Sequence, residues 1–281
     1  MKTMLLALLL AAAAGTGATM VEAVSSPKND YNLSYDAAER TMVFARSEAD
    51  FKNARIYVAT KVRGRWSAAA PIAFSDPAHS DSDPWLTPDG RTLYFVSDRP
   101  AAGREAQRKD LDLWRARRTA GGWSAPEHLA AQSSRNPELG PELHGGRLYF
   151  NTARKGGKGG LDISVADAAP EGGFGAPRPI EGPFNSTASE SDFTLSPDGK
   201  RAAFWRMVGE KGVIHLAERG ADGAWSDPKP LPDTINIGPF NFTPHFGRDG
   251  RTLRFASTRA REGQEAGMAD IYVVKLARNL N

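Results

Sequence analysis

The sequence predicts an all-β fold, a five-bladed β-propeller of four-stranded blades whose ring is closed by an N-terminal strand, and three observations carry that expectation. First, a Phe closes a short apolar run at Phe44, Phe95, Phe150, Phe204 and Phe255, with spacings of 51, 55, 54 and 51 residues, a period suited to a radial repeat. Second, each Phe is followed by a β-rich run centred on Ile56, Leu113, Ile163, Ile214 and Ile271. Third, 28 Gly and 19 Pro are spread evenly along 281 residues, which marks many turns and short strands rather than one linker.

Taken in chain order, the first element is a leader. Lys2 precedes an unbroken apolar stretch over residues 4–14, and small residues follow to Ala18. Eleven apolar residues are too few to span a bilayer, which takes about 20, and the order fits a secretory signal with cleavage after Ala18. The expected organisation is a signal peptide at 1–18 and a single propeller domain at 19–281, with no transmembrane segment in the mature chain and a periplasmic or secreted location. The absence of cysteine excludes a disulfide framework, a thiolate nucleophile and a cysteine metal site.

The repeats fall at about 27–78, 79–135, 136–187, 188–236 and 237–281. Upstream of each Phe, stacking the copies gives an entry strand of four columns: Asp30, Asp83, Gly140, Asp192, Thr243; then Tyr31, Pro84, Pro141, Phe193, Pro244; then Asn32, Trp85, Glu142, Thr194, His245; then Leu33, Leu86, Leu143, Leu195, Phe246. Apolar and polar columns alternate as a strand requires. Thr-Pro-Asp-Gly at 87–90, Ser-Pro-Asp-Gly at 196–199 and Gly-Arg-Asp-Gly at 247–250 are hairpin turns with Gly at the positive-φ position. An aromatic then recurs at Trp66, Trp123, Phe174 and Trp225, ahead of a fourth strand. The last copy stops after its third strand, and residues 21–26 precede the first entry strand without another partner. They are expected to complete the last blade and lock the ring.

The run Ser-Pro-Asp-Gly-Lys, Phe, Ser-x-Arg, a Gly-rich loop, Asp-Ile-Tyr and Gly-Gly-Trp-Ser-x-Pro resembles the TolB-like, WD-type β-propeller repeat over nearly the whole mature chain. The stretch 140–177, with Gly-Gly-Lys-Gly-Gly-Leu-Asp-Ile, is similar to the repeats found beside OmpA-like domains. The first copy departs most, with Asp36-Ala-Ala-Glu39 in place of the usual turn. The resemblance implies protein contacts in the periplasm or at the envelope and no catalytic residues common to the family.

Most charged motifs have a structural reading. The residue four after each Phe and the residue before each Ile or Leu pair as Glu48 with Arg55, Arg99 with Asp112, Arg154 with Asp162, Val208 with Val213 and Arg259 with Asp270. Opposite charges in four blades and two valines in the fifth are expected of neighbours across a hairpin. The Gly-rich segment 156–160 lies between strands, so it reads as a blade loop rather than a phosphate cradle. Asp81-Ser-Asp83 has a spacing open to a hard cation, but a capping role is the simpler reading. The histidines show no metal-ligand spacing and no Gly-x-Ser-x-Gly elbow is present, so no metal and no cofactor is expected. Thirty-six basic and 33 acidic residues are interleaved, for a formal charge of +3, and lack the basic stripe of a nucleic-acid binder.

What remains is the pair of polar columns on the innermost strands. Asp30, Asn32, Asp83, Trp85, Glu142, Asp192, Thr194 and His245 are expected to converge at one mouth of the central channel, as ligand-binding candidates or as bonds between blades. The sequence therefore reads as an exported, non-enzymatic binding module of the cell envelope, using the channel mouth and blade loops to hold an envelope or periplasmic protein or a polar ligand. The alternative is a five-bladed glycoside hydrolase-like enzyme, whose chemistry needs two carboxyls roughly 5 to 10 Å apart in the central funnel.

Overall fold

The structure, a computed structural model, describes residues 17–102 and 110–277. Of the expected signal peptide, residues 1–16 lie outside the described residues. Five antiparallel sheets form a ring of blades. From the axis outward, blade 1 runs through Asn29–Tyr35, Thr41–Ser47 and Arg55–Val62; blade 2 through Asp81–Leu86, Thr92–Ser97 and Asp112–Thr119. Blade 3 runs through Glu138–His144, Arg147–Thr152 and Asp162–Asp167; blade 4 through Glu190–Leu195, Arg201–Val208 and Lys211–Glu218; blade 5 through Asn241–Phe246, Thr252–Ser257 and Asp270–Lys275.

The fourth strands are short. In blades 1 and 2 the third strand pairs with two dipeptides, Arg65–Trp66 with Ala70–Pro71 and Gly122–Trp123 with Glu127–His128, and in blades 3 and 4 with one, Arg178–Pro179 and Lys229–Pro230. Blade 5 takes its outer strand from the start of the chain. That strand is Thr19–Met20, with Thr19 opposite Val273 and Met20 opposite Tyr272, rather than the expected 21–26. Val21 N–H adds one more bond to Ile271 O (2.8 Å). The chain then turns, with Val24 N–H bonded back to Val21 O, because 21–26 must cross from the ring's outside to the first inner strand. Val24 is buried there against Leu33, Phe44 and Ile271.

The core lies between blades. Phe44, Phe95, Phe150, Phe204 and Phe255 are each at most 1% exposed, and clusters join one blade to the next, as where Val43 and Ile56 meet Leu86, Leu93 and Phe95. Burying apolar faces against neighbouring blades drives closure of the ring.

The charged side chains correct the hairpin expectation. Pairing of the second and third strands sets Ser97 opposite Asp112, Thr152 opposite Asp162 and Ser257 opposite Asp270. In blades 2, 3 and 5 the strand thus ends two residues after the Phe, and a residue four after it lies beyond the ladder, free to fold back toward the axis, whereas in blade 4 Val208 stays in the ladder opposite Lys211. Arg99 grips Asp81 with both oxygens (2.6 and 2.8 Å), Arg154 meets Glu138 (3.2 Å), and from the ladder itself Arg46 meets Asp30 (2.6 Å) and Arg206 meets Glu190 (2.7 Å). Each guanidinium, Arg259 included, sits 5.3 to 5.6 Å over its blade's Phe ring. Four of them also donate to a carbonyl in the preceding connection: Arg46 to Val24, Arg154 to Gln132, Arg206 to Phe184 and Arg259 to Ile235. The other expected partners go elsewhere: Glu48 to Lys28, Asp112 to His128, Asp162 to Gly159 N–H and Asp270 to Arg261.

Candidate functional site at the axis

Every inner strand carries a β-bulge at the same level. Pairing with the second strand breaks between Tyr31 and Ser34, Ser82 and Trp85, Leu139 and Glu142, Ser191 and Thr194, and Phe242 and His245. The first unpaired residue is always left-handed: Asn32 (φ 50°), Asp83 (49°), Gly140 (57°), Asp192 (55°) and Thr243 (49°). Asn and Asp tolerate this region, whereas a β-branched Thr rarely enters it. The bulge also corrects the column alignment of blade 1 by two residues. Asn32 stands with Asp83 and Asp192, Ser34 with Trp85 and Glu142, and Asp30 with Asp81, Glu138 and Glu190 in the arginine-bonded row.

These bulges build two rings of bonds from one blade to the next. In the first, Asp83 Oδ2 accepts Gly140 N–H (2.9 Å) and the Asp192 carboxylate accepts Thr243 N–H. Gly140 has no side chain, and Asn151 Oδ1 takes the Asp192 N–H in its place (2.9 Å). Thr243 Oγ1 accepts Asn32 N–H at 3.4 Å, and the buried Asn32 Oδ1 has no partner among the described residues. In the second ring, Ser34 Oγ accepts Leu86 N–H (3.0 Å), Glu142 Oε1 accepts Leu195 N–H (3.2 Å) and Thr194 Oγ1 accepts Phe246 N–H (3.4 Å). Trp85 Nε1 is buried without a partner among the described residues, and His245 Nδ1 instead crosses to Glu142 Oε2 (3.1 Å), blade 5 to blade 3.

Burial raises the pKa of both first-ring acids. Asp83 is held above its ordinary range although Ser82 Oγ–H and Gly140 N–H bond to it. Asp192 keeps some accessible surface as a residue, but its carboxyl lies at depth, and burial followed by the charge of Asp83 pushes it to about 8. Trp205 Nε1–H donates to Asp192 Oδ2 at 2.6 Å and partly offsets that rise. Burial thus favours the neutral form of both carboxyls, and the charge of Asp83 adds to the rise at Asp192.

Six of the eight expected residues, Asn32, Asp83, Trp85, Glu142, Asp192 and His245, line an axial cavity of about 30 Å³, close to one water's share of liquid volume. Thr194 lies behind the wall, donating to Glu142 Oε1 (3.0 Å). Asp30 is removed from the mouth: it is fully buried under Arg46 and Ser26, and burial raises its pKa to about 6. Asp81 and Asp83 turn to different partners, Arg99 and Gly140, so the Asp-Ser-Asp spacing does not form a shared site. Among the described residues, no group of three or more His, Asp or Glu is placed to hold a metal ion. Ser34 and Asn151 were not expected; the 14-residue spacing from Asp30, Asp81, Glu190 and Asn241 to the Phe of blades 1, 2, 4 and 5, against 12 from Glu138 to Phe150 in blade 3, is the signal that places Ser34 correctly.

No protein-family model and no curated relative matches the chain. Solved structures do. TolB from Acinetobacter baumannii superposes at a TM-score of 0.52 with 14% identity over 90% of this chain, which spans only 56% of that protein. An α-L-arabinofuranosidase from Lactobacillus brevis gives a TM-score of 0.62 at 12% identity over 93% of this chain and 94% of its own. An endo-arabinase from Bacteroides thetaiotaomicron gives 0.57 at 14% identity over 94% and 99%. At such identities the likeness is one of fold: this chain is a five-bladed β-propeller, and no helix among its described residues is long and apolar enough to cross a membrane.

Proposed function

We propose that the chain is an exported, non-catalytic binding module of the cell envelope, periplasmic or secreted after loss of residues 1–18, that holds a partner protein against its axial mouth and blade loops. The observation that carries this reading is how the axial carboxyls are used. Asp83 and Asp192 accept backbone N–H groups of the next blade, Glu142 accepts Leu195 N–H and faces His245, and the space they enclose is far smaller than a sugar ring. Ligand pockets run to roughly 300–1,000 Å³. The superposition on TolB supports an interaction role, and likeness to the repeats beside OmpA-like domains belongs to this same proposal.

A glycosidase reading has its own support. Asp192 holds a raised pKa beside Asp83, the electrostatic pattern of an acid and its partner, and two arabinan-directed enzymes share the fold. The two readings separate in one experiment. The chain and a His245→Ala, Asn32→Ala variant, which leaves the axial acids intact, are immobilised and challenged with envelope extract, and both are assayed on arabino-oligosaccharides. A partner retained by the chain and lost by the variant supports the binding module. Hydrolysis that disappears in Asp192→Asn assigns the enzyme.

A further inference from the structure

A second cavity opens between blades 3 and 4, at the end of the ring that carries the turns at 145–146 and 196–199. At about 690 Å³ it has the volume of a ligand site. It runs outward from Leu195 on an inner strand, past Arg147 on a second strand, to Arg219, Trp225 and Arg178 at the periphery. Three guanidiniums, Arg147, Arg178 and Arg219, line it against the one acidic side chain of its wall, Glu181, so arginine is in excess there. Arg147 and Arg178 straddle the single carboxylate of Asp167, at 2.9 and 3.0 Å, with all three side chains 42 to 55% exposed. Exposed pairs of this kind are weak and yield to a competitor. Arg219 has no carboxylate partner among the described residues: its Nε donates to Gly223 O (2.8 Å), and its terminal amino groups make no hydrogen bond there.

From this geometry we infer that the groove between blades 3 and 4 is a docking site for an acidic peptide segment of a partner protein, its carboxylates taken by Arg219 and by the Arg147–Arg178 pair. Guanidiniums bind carboxylates by paired N–H donors, and Asp167 shows that two of them already converge on one such group. A peptide is favoured over a carboxylated sugar because the aromatic wall offers no free stacking face. Tyr149 is buried against Phe193 (5.2 Å), while Trp225 packs edge-on to Phe184 (5.3 Å) with Arg219 over its ring (5.6 Å). Leu195, whose N–H enters the second axial ring, is common to both regions, but Arg147, Arg178 and Arg219 take no part in the axial bonds, so their role stands whatever the axial mouth does.

The test is fluorescence anisotropy of labelled hexaglutamate with the purified chain, beside hexalysine and oligogalacturonate. Hexaglutamate is expected to bind, hexalysine not. Arg219→Ala weakens binding at least tenfold, and Asp167→Ala, which frees Arg147 and Arg178, strengthens it about threefold or more. All three side chains are exposed, so the variants should melt with the parent chain; if Arg219→Ala does not fold, Arg178→Gln replaces it with the same expected direction. Absence of hexaglutamate binding, equal affinity in the arginine variants, or weaker binding in Asp167→Ala overturns the proposal. Preferential binding of oligogalacturonate with the same variant response overturns it in favour of a glycan site.

Discussion

The axis and the blade 3–4 groove are built from different positions of one repeat, and both concentrate charge, yet they have opposite inventories. At the axis each carboxyl group already has donors, from its own blade or from another, and the space between them is about 30 Å³. In the groove the charges are exposed, share one carboxylate or lack one, and face about 690 Å³. A cluster of acids on a propeller axis therefore marks the fastening of the ring as readily as a site, and the count of unspent donors and acceptors separates the two. A third region sharpens the lesson. Four blades fix the start of the inner strand with a buried acid under an arginine, whereas the closing blade has Asn241 there, and Arg259 is instead sandwiched over Phe255 and Tyr272, its pKa lowered by burial. At this position every blade stacks an arginine on its Phe, and only the blade completed by the N-terminal strand gives that arginine no buried acid, its guanidinium going to Ile235 O.

The largest break in this comparison should come from the arginine row. Arg206→Ala leaves Glu190, fully buried, without its cation, and such orphaned charges cost about 3–5 kcal/mol. Urea unfolding of that variant should show the loss, while Arg178→Ala in the groove changes stability by less than about 0.5 kcal/mol. Next is Gly140→Ala. An added Cβ would stand 2.5 Å from Asp192 Oδ1 and 2.9 Å from Asn151 Oδ1 at φ +57°, and a strained left-handed residue alone costs about 1–3 kcal/mol. Its melting temperature should fall well below that of a Gly145→Ala control, where the Cβ meets nothing within 4 Å, although φ is again +57°.

A further effect is one of pH. Asp192 has a folded pKa pushed to about 8 from 3.8, and Asp30 to about 6, so the folded chain holds protons that the unfolded chain releases. Their contribution is fully present below about pH 4 and is lost as pH rises, through about 6 for Asp30 and about 8 for Asp192. Stability from these groups should fall between pH 5 and 8, and Asp192→Asn, neutral throughout, should flatten that fall in denaturant titrations at the two pH values.

The sequence made the ring legible because the Phe period and the alternating entry strand are properties of adjacent residues. Closure by the N-terminus was legible too, since the last repeat lacks a strand, but its position was not. Residues 19–21 pair while 22–26 bend, a choice made by the crossing distance rather than by composition. The alignment of the inner strands came out right in blades 2 to 5 and two residues early in blade 1, where Asp36-Ala-Ala-Glu39 hides the turn that anchors it. The arginine pairings were misread because the second strand of blades 2, 3 and 5 ends ahead of the arginine, and a strand end leaves no residue signature. The groove was invisible because its walls come from two blades about 50 residues apart.

The most direct test of whether the axial acids fasten the ring is the unfolding free energy of Asp192→Ala at neutral pH. An acid that bonds Thr243 N–H and Trp205 Nε1–H leaves both donors unpaired when truncated, and the predicted loss is about 1–3 kcal/mol. An acid kept for catalysis is commonly carried at a cost to stability, so an unchanged or increased unfolding free energy would contradict the account and return Asp192 to an active site.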